Sequence, residues 1–356
     1  MDLRTIQSGG GGLLGAVARM GLSALSVPFA AAAHTRAWLY DRGWLAAHRC
    51  GRPVVAVGNL TAGGTGKTPF VAWLVAATRA VGRRPGILAR GYGPRPAGSP
   101  LSDEGTLLAE LVGRDVPQVE DPVRVRGAGK LLADHPDVDL VVLDDGFQHR
   151  ALARDVDVVL VDATAPFGGG RFLPRGLLRE SPRALGRADV VVVTRADAVT
   201  PDALASLRAR VAALAPRADV ALARTRATGL VDADGARHPL TALSGVPVAA
   251  WSGIGNPAAF EHTLEAAGAR VVVRRRAPDH HRPTRAALVA VSGDAARAGA
   301  ALVVVTRKDL VKVRALGPAG AGSGAPRLWA LDVETDVHEG REALLRRVAA
   351  AGRTPR

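Results

Sequence analysis

The sequence predicts an α/β protein in which two α/β units are joined by a β linker, and three observations support this prediction. From Pro53 onward, short β-branched runs alternate with Ala-, Leu- and Arg-rich stretches of helical length. Near-continuous apolar strands separated by helices are typical of a parallel sheet that is covered on both faces. The chain has 356 residues, more than one average domain. A polar stretch with the turn signal Asp234-Gly235 separates two series of such strands.

The predicted strands divide the chain into four segments. The first series lies at residues 54–57, 86–89, 140–143, 156–161 and 190–194, and the second at 246–250, 270–273 and 301–305. We therefore expect an N-terminal helical segment at 1–50, a parallel-sheet domain at 51–220, a two-stranded β-hairpin linker at 221–240 and a smaller α/β domain at 241–356.

Composition limits the class of protein and its partners. The 47 basic and 33 acidic residues give a formal net charge of +14, which suits an anionic partner. Cys50 is the single cysteine, so the sequence excludes an intramolecular disulfide framework and any all-cysteine metal site. Only four of the basic residues are lysines, so a lysine indicates a functional role more strongly than an average arginine does.

The first 50 residues combine an apolar stretch with a net charge of +3. Between Arg19 and His34 lie only 14 uncharged residues, whereas a helix needs about 20 to span a bilayer. Trp38, Tyr40 and Trp44 follow, and such aromatics are favoured at a membrane interface. We expect an interfacial helix here, and the alternative is a helix packed on the body of the protein.

The segment VVAVGNLTAGGTGKTP at residues 54–69 carries the strongest signal for chemistry. A buried strand enters a glycine-rich turn and then a helix, so that backbone N–H groups and the helix N-terminus can bind phosphate. Lys67 can reach the β- and γ-phosphates of a nucleotide, and the Thr68 hydroxyl can bind Mg²⁺. Thr61 stands where the usual P-loop pattern has glycine. The predicted nucleotide-binding residues are Thr61, Ala62, Gly63, Gly64, Thr65, Gly66, Lys67 and Thr68.

A second motif, LVVLDDG at residues 140–146, places two adjacent carboxylates at the end of a buried strand. Ligands of open α/β sheets bind at the carboxyl ends of the strands. Asp144 and Asp145 are therefore predicted, together with Thr68, to hold Mg²⁺. The alternative is a solvated turn, because Asp-Gly is common in turns.

These motifs and others closely resemble one family, tetraacyldisaccharide 4′-kinase, the lipid A 4′-kinase of Gram-negative bacteria. The matching stretches occur in family order between about residues 13 and 313. They are GNLTAGGTGKTP (58–69), ARGYG (89–93), SDE (102–104), DDGFQHRALARDVDVVLVDA (144–163), FGGGRFLPRGLLRE (167–180), ADVVVVTRAD (188–197), SGIGNPAAF (252–260), PDHH (278–281) and VVVTRKDLVKV (303–313). Ser102 and Gly105 stand where the family usually has Gly and Pro.

The resemblance implies a fold, a reaction and a location. The fold is a P-loop NTPase-like parallel-sheet domain and a smaller α/β/α domain, joined by a β ribbon. The reaction transfers the γ-phosphate of ATP, with Mg²⁺, to the 4′-hydroxyl of tetraacyldisaccharide 1-phosphate, a lipid A precursor. We expect a peripheral or monotopic monomer on the cytoplasmic face of the inner membrane, with no nucleic-acid partner.

The resemblance also implies roles for residues outside the phosphate loop. Asp103 is the expected general base, in a dyad with His280; the alternative for Asp103 is a helix N-cap. Arg90, Arg124 and Arg179 are candidates for stabilising charge on the phosphoryl group, and Arg126 fits almost as well as Arg124. Gln148 and His149 follow the acidic pair and are candidates for orienting the sugar or a metal-bound water.

Three rival functions have weaker support. A partitioning ATPase would have, at position 62, a lysine that reaches across a dimer. This chain has alanine there, so it lacks that lysine. A nucleic-acid-binding module would need a recognisable motif, and aromatic residues make up only 4% of the chain, so stacking platforms are few. For a GTPase, residues 306–309 resemble the guanine-reading pattern but lack its asparagine and lie in the second domain.

Overall fold

The computed structural model describes residues 12–91, 100–278, 281–314, 316 and 326–352. Its strands form one continuous sheet. The strands are β1 Val54–Asn59, β2 Pro85–Ala89, β3 Gln118–Glu120, β4 Leu140–Asp144, β5 Val156–Asp162, β6 Val190–Thr194, β7 Asp219–Asp232, β8 Arg237–His238, β9 Pro247–Ser252, β10 Arg270–Arg276, β11 Leu302–Thr306 and β12 Arg327–Glu339. Their order is β10-β9-β11-β12-β7-β6-β5-β1-β4-β2-β3, and β8 pairs with β7. Neighbours are parallel except for β12/β7 and β7/β8.

Helices connect the strands and cover the sheet. They are α1 Gly12–Asp41, α2 Lys67–Ala80, α3 Asp103–Val112, α4 Arg124–Asp134, α5 Pro201–Leu214, α6 Pro257–Ala266, α7 Arg285–Arg297, α8 Arg307–Arg314 and α9 Arg341–Ala349. All eight strands predicted from apolar runs are present, because runs buried on both faces of a parallel sheet carry a strong signal.

Strand β1 lies at the centre of the larger body and positions its site. It pairs in parallel with β4 on one side and β5 on the other, so it marks a point where the strand order reverses. All six of its residues are buried, down to Asn59 at its carboxyl end. Ligands bind at such switch points, beyond the carboxyl ends of the strands. The glycine-rich loop at residues 61–66 follows directly.

The linker between the two bodies is two-stranded, but it is not the predicted local hairpin. The turn at Asp234-Gly235 forms, yet β8 after it has only two residues. The main partner of β7 is the distant β12, which runs antiparallel to it from Trp329↔Asp232 to Glu339↔Leu222. A 14-residue strand needs a partner of similar length, and only β12, with 13 residues, provides it among the described strands.

The C-terminal helix lies on the larger body, which corrects the expected boundary of the second domain at residues 241–356. Leu344 and Val348 of α9 join the buried cluster that contains Val55 and Phe70. Strand β12 runs back along the linker, so that the chain returns to the larger body. The smaller body therefore ends where β12 leaves it.

Helix α1 projects from the larger body. By length and composition alone, its residues 14–41 meet the criteria for crossing a membrane. This differs from the expectation of a stretch too short to span, because the helix continues through Arg19 and His34. Its second half contacts the body through Ser26, whose hydroxyl donates to Phe172 O at 3.0 Å, and through Arg36, which donates to Gln148 O at 2.7 Å.

We predict that Leu344→Ala lowers the free energy of unfolding by about 2–5 kcal/mol, the usual cost of truncating a fully buried leucine. Thermal and denaturant unfolding of the purified variant measure the effect. The exposed Arg346→Ala on the same helix is the control and should stay within about 0.5 kcal/mol of the parent. Equal stability of Leu344→Ala and the parent would contradict the placement of α9.

Candidate active site

The glycine-rich loop folds as an anion-binding turn at the start of α2. Gly66 precedes the helix with φ +85°, a left-handed conformation that favours glycine, and Lys67 is the first helical residue. The eight predicted nucleotide-binding residues, 61–68, all line a cavity of about 1050 Å³. A cavity of this size can hold a nucleotide phosphate chain together with a second substrate.

A network of charged side chains forms the floor of the site. The Asp145 carboxylate accepts two hydrogen bonds from Arg179, at 2.8 and 2.9 Å, and lies 3.6 Å from Lys67 Nζ. Burial alone would raise the pKa of Asp145, but Lys67 and Arg179 hold this pKa well below its usual range. Asp145 also has φ +50°, which is uncommon for a residue other than glycine and clusters at functional sites.

Asn59 connects this network to the loop. Its side-chain oxygen accepts from Lys67 Nζ at 3.2 Å and also from Arg179, while its side-chain nitrogen donates to Thr65 Oγ1 at 2.9 Å. Its backbone carbonyl accepts from Gln148 Nε2 at 3.0 Å. Sequence reasoning assigned no role to Asn59. The available signal was a polar residue at the end of a fully buried strand, directly before the glycine-rich loop.

Asp144 differs from its neighbour in protonation. Burial raises the pKa of Asp144 to about 7, and the Asp145 carboxylate adds to the rise. Its Oδ1 is buried and has no hydrogen-bond partner among the described residues. A buried carboxylate oxygen without a partner, next to a second carboxylate, fits the hard oxygen donors that Mg²⁺ prefers, and Thr68 lines the same cavity. The described residues contain no group of three or more His, Cys, Asp or Glu that could hold a metal alone.

The geometry separates Arg124 from Arg126. Arg124 is 3% exposed, and burial lowers its pKa to about 10, whereas Asp145 and Asp144 favour its charge. Two of its guanidinium nitrogens have no hydrogen-bond partner in the described chain. Arg126 points outward, with its side chain 67% exposed, and pairs with Asp121. Of the two, Arg124 is the one placed beside the acidic pair.

His149 and Arg90 lie on the same side of the site. Burial lowers the pKa of His149 to about 4, and the positive charges of Arg124, Arg90 and Arg36 act in the same direction. The imidazole is therefore neutral at pH 7 and can donate or accept a hydrogen bond. Arg90 follows β2 and lines the cavity.

Asp103 is the first residue of α3 and does not cap it. The cap is Ser102, whose hydroxyl accepts from Gly105 N at 3.2 Å and donates to Glu120 at 2.6 Å. Asp103 is 8% exposed, and burial raises its pKa. The N-cap alternative for Asp103 is therefore wrong. His280, its expected partner, lies outside the described residues.

The smaller body covers the phosphate loop. Gly255 lies so close to Gly64 that a Cβ atom on Gly255 would be 2.4 Å from Gly64 N, so only glycine fits there. Asn256 donates to Thr164 Oγ1 at 3.0 Å, again across the two bodies. The cavity is lined from both sides, with Arg307 and Lys308 contributed by the smaller body.

Comparison with known proteins identifies the family. The family model for tetraacyldisaccharide-1-P 4′-kinase matches residues 18–350. A tetraacyldisaccharide 4′-kinase of Anaeromyxobacter dehalogenans (strain 2CP-C) is 44% identical over 348 residues, covering 94% of this chain and 90% of the relative. One from Bordetella parapertussis is 40% identical, covering 84% and 83%. The chain belongs to the tetraacyldisaccharide 4′-kinase family.

A solved structure supports the same assignment. LpxK from Aquifex aeolicus, crystallised in complex with ATP, superimposes with a TM-score of 0.67 at 26% identity, covering 93% of this chain and 98% of that one. The predicted fold class and the predicted family are thus confirmed, and the chain is a kinase of this family.

We predict that His149 stays neutral until the pH falls to about 4. The unfolded chain binds this proton near the ordinary pKa of about 6.5, so the free energy of unfolding should fall as pH drops from about 6.5 towards 4. An NMR titration of the imidazole signals, assigned with His149→Asn, measures the midpoint. That variant should also lose less stability over this pH range. A midpoint near 6.5 in the folded protein would show that the imidazole is not buried among cations.

Proposed function

We propose that this protein transfers the γ-phosphate of ATP to the 4′-hydroxyl of tetraacyldisaccharide 1-phosphate. The observation that carries the proposal is the cavity that joins the phosphate loop, the Lys67–Asp145–Arg179 network and the start of α3. Because both bodies of one chain build this cavity, the proposal needs only a monomer.

The first requirement of the reaction is charge stabilisation. Phosphoryl transfer spreads negative charge over the equatorial oxygens of the phosphoryl group, so catalysis consists mainly of positioning and electrostatics. Backbone N–H groups of residues 61–66 and Lys67 would bind the phosphates. Arg179, Arg124 and Arg90 supply further positive charge around the acidic pair. Asn59 would hold Lys67 and Arg179 at fixed positions before the substrates bind.

Mg²⁺ fits the donor set of Thr68, Asp144 and Asp145. When bound, the ion would neutralise phosphate charge and orient the γ-phosphate. The ion's positive charge would also favour the ionised form of Asp144 over the protonated form that burial promotes. Gln148 and His149, on the same loop, would then orient the sugar.

A sugar hydroxyl is a weak nucleophile and must lose its proton as it attacks. We assign Asp103 as the base, with His280 as its partner. Asp103 is buried between Ser102 and Glu104, which line the cavity, and burial raises its pKa, which strengthens it as a proton acceptor. The positive charges of Lys312, Arg282 and Lys308 oppose this rise of the pKa.

The substrate carries acyl chains, so we place the enzyme at the cytoplasmic face of the inner membrane. Leu14, Val17 and Met20 of α1 are 61–78% exposed. Residues 12–25, which precede the contact at Ser26, span about 21 Å of helix. This is shorter than the roughly 30 Å hydrocarbon core, which favours monotopic insertion of this end. The exposed Trp38 and Trp44 suit the head-group layer.

The test is a kinase assay with ATP, Mg²⁺ and purified tetraacyldisaccharide 1-phosphate, with product detected by mass spectrometry. Lys67→Ala should abolish transfer because phosphate charge loses its nearest cation. Asp103→Ala should lower kcat by roughly 10²–10⁴, the usual scale of general-base catalysis, with little change in the KM for ATP.

Lys130→Ala is the matched control, because Lys130 is an exposed lysine that pairs with Asp134 far along α4. It should keep the parent rate. Phosphorylation at another hydroxyl, or no phosphorylation by the parent enzyme, would refute the proposed reaction. Normal turnover by Lys67→Ala would refute the role of the phosphate loop.

We further predict that replacing Leu14, Val17 and Met20 with serine weakens binding to vesicles that contain anionic lipid. Each substitution removes apolar surface that would enter the bilayer. Flotation of the full chain, at low and high salt, measures binding. Val81, Val123 and Val289 are also exposed, and their triple serine variant is the control. Equal flotation of both variants would show that α1 is not the anchor.

A further inference from the structure

Helices α3 and α8 face each other across the two bodies with opposite charge. Helix α8 carries four basic residues and one acidic residue within eight positions, and it holds two of the four lysines of the chain. Helix α3 carries Asp103, Glu104 and Glu110 and no basic residue. These two helices make direct contact between the bodies.

Three ion pairs join the helices. Arg307 donates to Glu110 at 2.8 Å, and Arg314 reaches the other oxygen of the same carboxylate at 3.4 Å. Lys308 Nζ lies 2.8 Å from Glu104. The side chains of Arg307 and Glu110 are 12% and 30% exposed, so water screens this pair less than a surface pair.

One of the two arginine partners of Glu110, Arg314, is itself held in place. Arg314 donates to the carbonyls of Ala233 at 2.8 Å and Asp232 at 3.0 Å, in the turn at the end of the β7 strand. Glu110 therefore binds a guanidinium that the smaller body has already fixed. An ordered partner loses less side-chain entropy on pairing, so the pair contributes more than a pair of mobile side chains.

The spacing of the two acidic residues determines orientation. Glu104 and Glu110 are six residues apart, about 9 Å along the helix axis. One contact would let α3 pivot, whereas two contacts that far apart fix its direction relative to α8. Asp103 lies at the end of α3 next to Glu104, which lines the cavity, so the position of Asp103 depends on this alignment.

We infer that Glu110 is a positioning residue: by binding Arg307 and Arg314 it holds the smaller body against α3 and thereby sets the position of Asp103 next to the cavity. This rests on the proposed function, because Asp103 is its base. Glu110 itself does not line the cavity. It therefore acts through α3 and α8 and not through contact with a substrate.

The experiment compares Glu110→Gln with Glu339→Gln. Glu339 is the matched control because it pairs with Arg208 at 2.7 Å, away from the α3–α8 contact. Glu110→Gln should lower kcat/KM for the disaccharide about 5- to 30-fold, the range expected when the coupling of the two bodies through these ion pairs is lost. Raising the salt concentration to about 0.5 M should lower the kcat/KM of the parent more than that of Glu110→Gln, because salt screens an ion pair that only the parent contains. Glu339→Gln should match the parent.

A double-mutant cycle and a distance measurement complete the test. Glu110→Gln combined with Arg307→Gln should be no worse than Glu110→Gln alone, because Glu110→Gln already breaks the ion pair that Arg307→Gln removes. In a Cys50→Ser background, spin labels at Val81 and Val289, both exposed, report the separation of the bodies. Glu110→Gln should broaden this distance distribution, and Glu339→Gln should not.

Each contrary outcome refutes the inference. Parent-like kinetics or parent-like distances in Glu110→Gln would do so, as would multiplicative losses in the double variant. Failure of the proposed function would give a different set of results from failure of this inference. If Asp103→Ala kept the parent rate, the base assignment would fail, while the label distances would still report whether Glu110 joins the bodies.

Discussion

The site depends on the pairing of one carboxylate with two cations. Asp145 sits at the end of a buried strand, where an unpaired charge would be costly, and Arg179 and Lys67 supply the compensation. The same pairing fixes the positions of both cations. Asn59 adds neutral acceptors for both, so Lys67 and Arg179 keep defined positions when no anion is present. The network is therefore preorganised, which is what electrostatic catalysis requires.

The continuous sheet explains how a second body can complete this site. Strands β7 and β12 belong to both bodies, so the smaller body is joined to the larger one by two paired strands and not by a single flexible chain. A paired ribbon restricts the motions that remain. Contacts such as Gly255 on Gly64 and Arg307 on Glu110 then define how the bodies meet around the cavity.

Sequence reasoning predicted what is local and missed what depends on distant contacts. Buried strands and the glycine-rich loop carry strong local patterns, and both are present as predicted. Strand β12 finds its partner about a hundred residues away, so no local turn signal marked it. The sequence alone could not decide whether Arg124 or Arg126 faces the site, because that depends on how the helix is rotated about its axis. Two residues along a helix point about 200° apart, and only the structure places Arg124 inward.

Helix α1 and the catalytic loops form one connected unit. Arg36 donates to the carbonyl of Gln148, and the Gln148 side chain donates to Asn59, which holds the phosphate-site cations. Ser26 meanwhile binds the carbonyl of Phe172 and the N–H of Arg175, in the loop that leads to Arg179. Both loops that carry charged site residues thus rest on the same helix. These contacts join the helix to both loops, so the position of α1 is coupled to the position of the cavity.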